Sequence, residues 1–185
     1  MRIEEIRQQL RAAGAKTCHE ERVLRAWTQL VGLDTRHRKA EDFLPLALRN
    51  LLPDLTAQLD GLVRLRSEHP GEDGSARLLV ELADGQTVES VLLPRDGLCV
   101  STQVGCAVGC LFCMTGQEGL LRQVGSAEIV AQVVLARRMR KVSRVVFMGM
   151  GEPSHNLDNV MEAIETLGTS AGIGHKNLVF STVGD

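Results

Sequence analysis

The sequence after Pro94 alternates between short apolar segments and longer segments with helical spacing, and this alternation constrains the fold more than any other feature. The segments LCVSTQ, RVVFMG and NLVFSTV are typical of buried strands, whereas SAEIVAQVVLARRM and LDNVMEAIETLG are typical of helices. Ser126 and Glu128 indicate where the first helix starts, and Arg137 and Arg138 near its end would complement the carbonyl dipoles. The order strand, helix, strand, helix, strand predicts an α/β fold with parallel strands and crossover helices.

Three other patterns precede this region. Up to residue 66 the apolar residues recur at helical intervals, as in EERVLRAWTQLVGLD, which predicts a small helical domain over residues 1–66. The polar, glycine-containing stretch SEHPGEDGSA predicts a linker or exposed loop over residues 67–76. The strand-like segments RLLVEL and VESVLLP flank the turn pair Asp84-Gly85. Residues 67–97 are therefore predicted to form a linker and a β-hairpin.

Three cysteines, Cys106, Cys110 and Cys113, lie within eight residues as C-x3-C-x2-C. This spacing can place three thiolates on one iron–sulfur cube and leave its fourth iron without a protein ligand. The amino and carboxylate groups of S-adenosylmethionine (SAM) can chelate such an iron, and the radical chemistry of SAM is tied to iron–sulfur centres. The cysteine spacing therefore favours a radical SAM enzyme with a [4Fe-4S] cluster.

A zinc site is the main alternative interpretation of the same cysteines. Cys99 lies seven positions before Cys106 and could supply the fourth thiolate that structural zinc requires. Zinc ligands more often come as two separate C-x2-C pairs, so the spacing favours the cluster. The charged start MRIEEIRQQL is unlike a secretory signal, and no apolar run has the length of a membrane span. We therefore expect a cytoplasmic protein with reduced thiols and no membrane partner.

Charge is distributed unevenly along the chain. The formal net charge is −2, but residues 1–50 hold ten Lys and Arg against seven Asp and Glu, whereas the rest holds eleven against sixteen. A basic excess at the front could attract RNA phosphates. A difference of this size is also what a solvated helical surface shows, so charge alone leaves both interpretations open.

The stretches LCVSTQVGCAVGCLFCMTGQEGLLRQ and VVFMGMGEPSHNLDNV resemble the RlmN/Cfr family of radical SAM RNA methyltransferases. The resemblance extends from about Val88 to Asp185 and joins three features: Cys99 seven residues before the first cluster cysteine, the C-x3-C-x2-C motif, and GMGEP about forty residues later. It implies that residues 98–185 form the first half of a partial (β/α)6 radical SAM barrel that carries the [4Fe-4S] loop. The family is about twice as long as this chain, so the barrel is expected to be incomplete.

The resemblance also implies which residues bind the cofactors. Cys106, Cys110 and Cys113 match the cluster ligands of the family. Four further positions match residues that contact SAM, namely Phe112 beside the adenine, Gly151 and Glu152 at the amino group, and Ser181. The family more often has STSG where this chain has STVG after Phe180. Without the resemblance, Phe112 would equally suit ordinary packing and GMGEP a simple turn.

Two residues match catalytic positions of the family. In the mechanism that the resemblance implies, a cysteine near the C terminus receives a methyl group from one SAM, and a second SAM generates a radical on that methyl group. The methylene radical adds to an adenine carbon, and the cysteine at the position of Cys99 resolves the protein–RNA adduct. Glu89 matches the glutamate that removes the ring proton. No cysteine follows Cys113, so the methyl-carrying cysteine is not expected within this chain.

Three function classes follow from the sequence. The first is a fragment of an enzyme that methylates adenine C2 in ribosomal RNA, incomplete without the methyl-carrying cysteine, with transfer RNA as a further substrate and a flavodoxin-type protein as electron donor. The second is a radical SAM enzyme with another substrate, which includes methylation of adenine C8. The third is a non-catalytic remnant that binds zinc or RNA. The sequence makes no prediction about the oligomeric state.

Overall fold

The N-terminal region contains three helices. The computed structural model describes residues 1–184, and its first elements are α1 (Ile3–Ala12), α2 (Thr17–Gln29) and α3 (Leu46–Asp60). Apolar residues at helical spacing, such as Ile6 and Leu10 of α1, are buried and form the contact between the helices. The predicted helices are confirmed, but the helical region ends at Asp60, about five residues earlier than the pattern indicates.

Three antiparallel strands follow. They are β1 (Val63–Pro70), β2 (Ala76–Leu82) and β3 (Thr87–Leu93). The hairpin of β2 and β3 is confirmed, with Gly85 at φ +83° in its turn. The prediction of a linker or exposed loop over residues 67–76 fits the turn at 71–75 but is wrong for residues 67–70, which belong to β1 and pair with β2. β1 is an edge strand whose far end is exposed, so polar residues are tolerated there and the alternating pattern is lost.

The remaining elements build the α/β region. They are β4 (Gly97–Val100), β5 (Gln103–Gly105), β6 (Leu120–Gln123), α4 (Ser126–Met139), β7 (Arg144–Phe147), α5 (Leu157–Thr169) and β8 (Leu178–Phe180). One six-stranded sheet has the order β1-β2-β3-β4-β7-β8, in which β4, β7 and β8 are parallel. The predicted α/β fold with crossover helices is therefore confirmed. The short strands β5 and β6 pair with each other on either side of the cysteine loop.

One face of the sheet is covered by helices. Leu98, Val145 and Phe147 point to this face and are completely buried. α4 packs between the sheet and the N-terminal helices, and α5 packs beside it. Because α4 is surrounded, its buried residues occupy almost every side of the helix rather than one stripe. The hydrophobic core therefore continues from the N-terminal helices to the sheet, and the division into domains at residues 66 and 97 stays a prediction.

The other face of the sheet carries the candidate catalytic residues. Cys99 pairs with Val91 of β3 and with Val146 of β7, so these three side chains point to the same side. Glu89 lies two residues before Val91 and shares that side, as does Val179 of β8. We call this side the open face, since it lies opposite the side that α4 and α5 cover.

The basic residues at the end of α4 bind other elements rather than capping the helix. Arg137 donates to the carbonyl oxygens of Thr28 (2.8 Å) and Ala171 (3.0 Å), and Arg138 pairs with Asp60. These contacts fasten α4 to the ends of α2, α3 and α5. Among residues 1–184, none of the helices combines the length and apolar character that crossing a membrane requires.

Candidate functional site

The cysteine loop runs from Cys106 to Gly119 and is closed at its base. The backbone N–H of Cys106 donates to the carbonyl of Gly119 at 3.0 Å, where β5 and β6 meet. Gly105 has a φ of +77°, and a Cβ there would lie 2.0 Å from the Gly119 oxygen. Only glycine permits this close approach of the two backbone segments, because both the backbone conformation and the space exclude a side chain. The two ends of the loop are therefore held together where β5 and β6 pair.

The three thiols of the loop are free and partly buried. Hydrogen bonds from Thr115, first from its side chain and then from its backbone, lower the pKa of Cys113, which favours the thiolate that metals bind. Three thiols on one loop are the donor set that a [4Fe-4S] cluster with one open iron requires, so the residues fit this group. Their side chains do not converge, however, and no three His, Cys, Asp or Glu side chains in residues 1–184 are grouped as metal ligands.

Phe112 is not part of the core. Its side chain is 91% exposed within the cysteine loop, next to Leu111, which is fully exposed. Ordinary packing therefore does not account for this aromatic residue. The ring is accessible to a flat ligand, as the resemblance implies, and its role in binding adenine stays a prediction.

The turn after β7, Gly149–Pro153, lies against the end of β4. A Cβ on Gly149 would lie 2.7 Å from the carbonyl oxygen of Val100, and a Cβ on Gly151 would lie 2.4 Å from the Cβ of Gln103. Both glycines are therefore required by contacts within the chain. The amide of Glu152 donates to the side chain of Gln103 at 2.8 Å, which fixes the turn on β5.

Glu152 is bound by its own chain. Its carboxylate accepts hydrogen bonds from the amides of Ser154 (3.0 Å) and Val183 (3.1 Å) and from the hydroxyl of Thr182. Burial alone would raise the pKa of this carboxyl, but these hydrogen bonds outweigh it and lower the pKa to about 2. The carboxylate is thus charged at neutral pH and joins the turn after β7 to the segment after β8.

Ser181 lies at the start of that segment and is partly buried. Its neighbours Thr182 and Val183 bind Glu152, so the structure brings the STVG segment and the GMGEP turn together. Sequence reasoning did not identify Thr182. The only available signal was a hydroxyl residue following a predicted strand, which is common and would not have distinguished it.

Cys99 and Glu89 lie on the open face and differ in environment. Burial raises the pKa of Cys99, although the backbone amide of Met148 bonds to its sulfur and opposes the effect, so the thiol is neutral at physiological pH. Glu89 is partly exposed, and its carboxylate lies 3.3 Å from the guanidinium of Arg77 on β2. Cys99 does not join the loop cysteines in any group that could hold a metal, within the part of the chain that the structure describes.

Comparison with known proteins shows relatives across the whole chain. Residues 100–185 match the family model of the radical SAM superfamily. The chain is 77% identical over 185 residues to proteins of Azoarcus sp. and Leptothrix cholodnii, each named a probable RNA methyltransferase. The chain covers 53% of each of these relatives, and so spans about half of their length.

A solved structure shows the same architecture. The radical SAM methyltransferase from Sphaerobacter thermophilus is 35% identical, with a TM-score of 0.76. The alignment covers all of this chain and 56% of that protein.

Proposed function

We propose that this chain, whose residues 100–185 match the family model of the radical SAM superfamily, supplies the cluster loop and the first barrel strands of an RNA methyltransferase. The resemblance that the sequence shows is confirmed at this level, as is the fold class with its part of a radical SAM barrel. The observation that carries the proposal is the 77% identity over the whole chain to relatives that are named probable RNA methyltransferases. The more specific assignment, methylation of adenine C2 through a methyl-cysteine, is our proposal.

The donor residues suit the cofactors of this chemistry. Cys106, Cys110 and Cys113 would hold a [4Fe-4S] cluster, which together with SAM supplies reductive cleavage of the sulfonium bond. Glu152 is charged at neutral pH and can attract the ammonium group of SAM, although two amides and a hydroxyl already occupy part of its carboxylate. We further propose contacts from three residues around it, namely Phe112, Gly151 and Ser181.

Two residues of the open face would act on the RNA. A neutral, buried Cys99 is protected from casual oxidation, and it can attack carbon or sulfur once a base takes its proton. Glu89 lies on the same face and could accept the proton of the adenine ring. A carboxylate acts in this way only within hydrogen-bond reach of that proton, so the RNA base would enter from the open face.

The proposed reaction involves an RNA substrate, an electron donor and a reducing cytoplasm. RNA, ribosomal and also transfer RNA, would be the substrate, and the basic excess of residues 1–50 would help to bind its phosphates. A flavodoxin-type reductant would supply electrons to the cluster. A reducing cytoplasm would keep all five cysteines out of disulfides.

Metal analysis tests the cofactor part of the proposal. Anaerobic reconstitution of residues 1–185 with iron and sulfide should give about four irons and four sulfides per chain. Cys110→Ser should lose most of this iron, whereas Cys18→Ser should retain it, because Cys18 lies outside the loop. Stoichiometric zinc with no iron uptake would contradict the proposal and support the zinc alternative.

Nucleoside analysis tests the reaction. Residues 1–185 would be joined to the C-terminal part of the Azoarcus relative, which restores the length of that protein. This extended protein, reconstituted and supplied with SAM, reductant and ribosomal RNA, should form 2-methyladenosine. Formation of 8-methyladenosine would show that C8 and not C2 is methylated. Absence of any methylated adenosine would refute the RNA methyltransferase assignment.

A further inference from the structure

Ser101 lies opposite Glu89, immediately after the end of β4. Cys99 pairs with Val91 across β3 and β4, so the same register places position 101 opposite Glu89. The strand pairing stops before this point, because β4 ends at Val100. Ser101 is completely buried, although it lies next to a partly exposed glutamate.

The hydroxyl of Ser101 replaces the missing strand pairing. It donates a hydrogen bond to the carbonyl oxygen of Glu89 and accepts one from the backbone N–H of Met150 at 2.8 Å. The amide of Glu89 in turn donates to the sulfur of Met150 at 3.3 Å. Both main-chain polar groups of Glu89 are therefore held by Ser101 and by the turn after β7. A single hydroxyl joins the strand that carries the candidate base to the turn that carries Glu152.

Ser101 itself is fixed from the other side by α4. The side chain of Gln132 accepts from the amide of Ser101 at 2.9 Å and donates to its carbonyl at 3.0 Å. Gln132 also accepts from the hydroxyl of Ser90 at 2.8 Å. A Cβ on Gly149 would lie 2.7 Å from the Ser101 oxygen, so the turn approaches this hydroxyl as closely as a backbone can.

We infer that Ser101 is a positioning residue for Glu89. Its hydroxyl sets the distance between β3 and the Gly149–Pro153 turn, and thereby aligns the Glu89 carboxylate relative to a ligand bound at that turn. Small displacements of a catalytic group are costly, because proton transfer requires hydrogen-bond reach. The inference rests on the proposed function, in which Glu89 accepts a proton from the RNA base.

Ser90 provides a matched control. It is also buried and also donates to Gln132, but its hydroxyl contacts neither Glu89 nor Met150. Ser90→Ala and Ser101→Ala each remove one buried hydroxyl from the same network. Ser101→Thr keeps the hydroxyl and adds a methyl group, so it should restore the bridge in part.

The test uses the extended protein described above. Ser101→Ala should lower kcat for adenine methylation about tenfold or more without changing the KM for RNA, since alignment rather than binding is lost. Ser90→Ala should stay within about twofold of the unchanged protein, and Ser101→Thr should exceed Ser101→Ala. In a Glu89→Gln background, Ser101→Ala should have no further effect, because a positioning residue acts only through the group that it positions.

Two kinetic results would overturn the inference. One is an equal loss from Ser101→Ala with and without Glu89, and the other is an equal loss from Ser90→Ala. Hydrogen exchange of residues 1–185 provides an independent readout: Ser101→Ala should speed exchange of the Met150 amide, whereas Ser90→Ala should not. Absence of methylation in the unchanged extended protein would refute the proposed function instead, and exchange alone would then decide whether Ser101 couples Glu89 to the turn.

Discussion

The carboxylate of Glu152 accepts a hydrogen bond of 3.1 Å from the backbone amide of Val183, across thirty-one positions of sequence. This bond joins the ends of the parallel strands β7 and β8, where α/β enzymes place their ligands. The bond therefore organises the edge of the sheet that carries the GMGEP turn.

Acid should lower the free energy of unfolding through protonation of Glu152. Its pKa is lowered from 4.5 to about 2, so the charged form stabilises the fold above pH 4.5, and this stabilisation is lost as the pH falls towards about 2. The shift corresponds to roughly 3 kcal/mol of unfolding free energy. Urea unfolding should show Glu152→Gln to be less stable than the unchanged protein near neutral pH, with the difference disappearing near pH 2. A constant difference across this range would contradict the assignment.

The thiols should differ in their rate of alkylation. Burial raises the pKa of Cys99, whereas Thr115 lowers that of Cys113, so Cys113 holds more thiolate near neutral pH. In cluster-free protein, iodoacetamide should modify Cys113 at least about tenfold faster than Cys99, as measured by mass spectrometry of peptides. Thr115→Val should slow the reaction of Cys113 and leave that of Cys99 unchanged. Equal rates for the two cysteines would refute the prediction.

The close approach of Gly105 to Gly119 at the base of the cysteine loop should not tolerate a side chain on Gly105. Gly105→Ala places a Cβ 2.0 Å from the Gly119 oxygen at a φ of +77°, so the loop must open. We expect a loss of about 2 kcal/mol in stability and lower iron uptake after reconstitution. Gly109→Ala is the control, because Gly109 has a φ of +67° but open space around the added Cβ. An equal loss of iron in both variants would show that backbone strain, and not the close approach, is responsible.

Arg122 of β6 should contribute more to stability than an exposed arginine of the six-stranded sheet. It binds Glu128 through two hydrogen bonds of 2.9 and 3.0 Å and lies 2.7 Å from Asp84, so it ties the hairpin turn to α4. Glu128 is 5% exposed, and removal of the guanidinium leaves its buried carboxylate with only the amide of Gly125 and the more distant N-terminal amine. Arg122→Met should cost about 2 kcal/mol by thermal or urea unfolding.

Arg64→Met is the matched control for this ion pair. Arg64 pairs with Glu81 from a position at which its side chain is 74% exposed. Its removal should cost less than about 1 kcal/mol. Similar losses in the two variants would mean that burial of Glu128 does not strengthen the Arg122 contacts.

Much of the fold could be predicted because it depends on local patterns. The hairpin of β2 and β3 follows from alternating apolar residues around a turn pair, and the order of β4, α4, β7, α5 and β8 follows from helical and strand periodicity. The pattern failed at residues 67–70, which were expected to belong to a linker or exposed loop. Residues 67–70 are held by pairing with β2, and an edge strand can carry polar residues without an alternating pattern.

The sequence predicted which residues belong to the candidate site but not the contacts that position them. Spacing identified Cys106, Cys110 and Cys113, and resemblance pointed to Glu89 and Cys99. No sequence signal identified Ser101 and Gln132, because buried serine and glutamine residues follow no periodicity. Their importance arises from hydrogen bonds to elements far away in sequence.

The sequence by itself determined the order of strands and helices and the set of thiol donors, since both depend on residues within a few positions of one another. Only the tertiary structure decided that Glu89 and Cys99 share the open face, that Glu152 binds Val183, and that Cys99 and Cys113 have pKa values shifted in opposite directions. The physical reason is that burial and hydrogen-bond partners are supplied by segments distant in the chain, which come together only when the sheet and its helices pack.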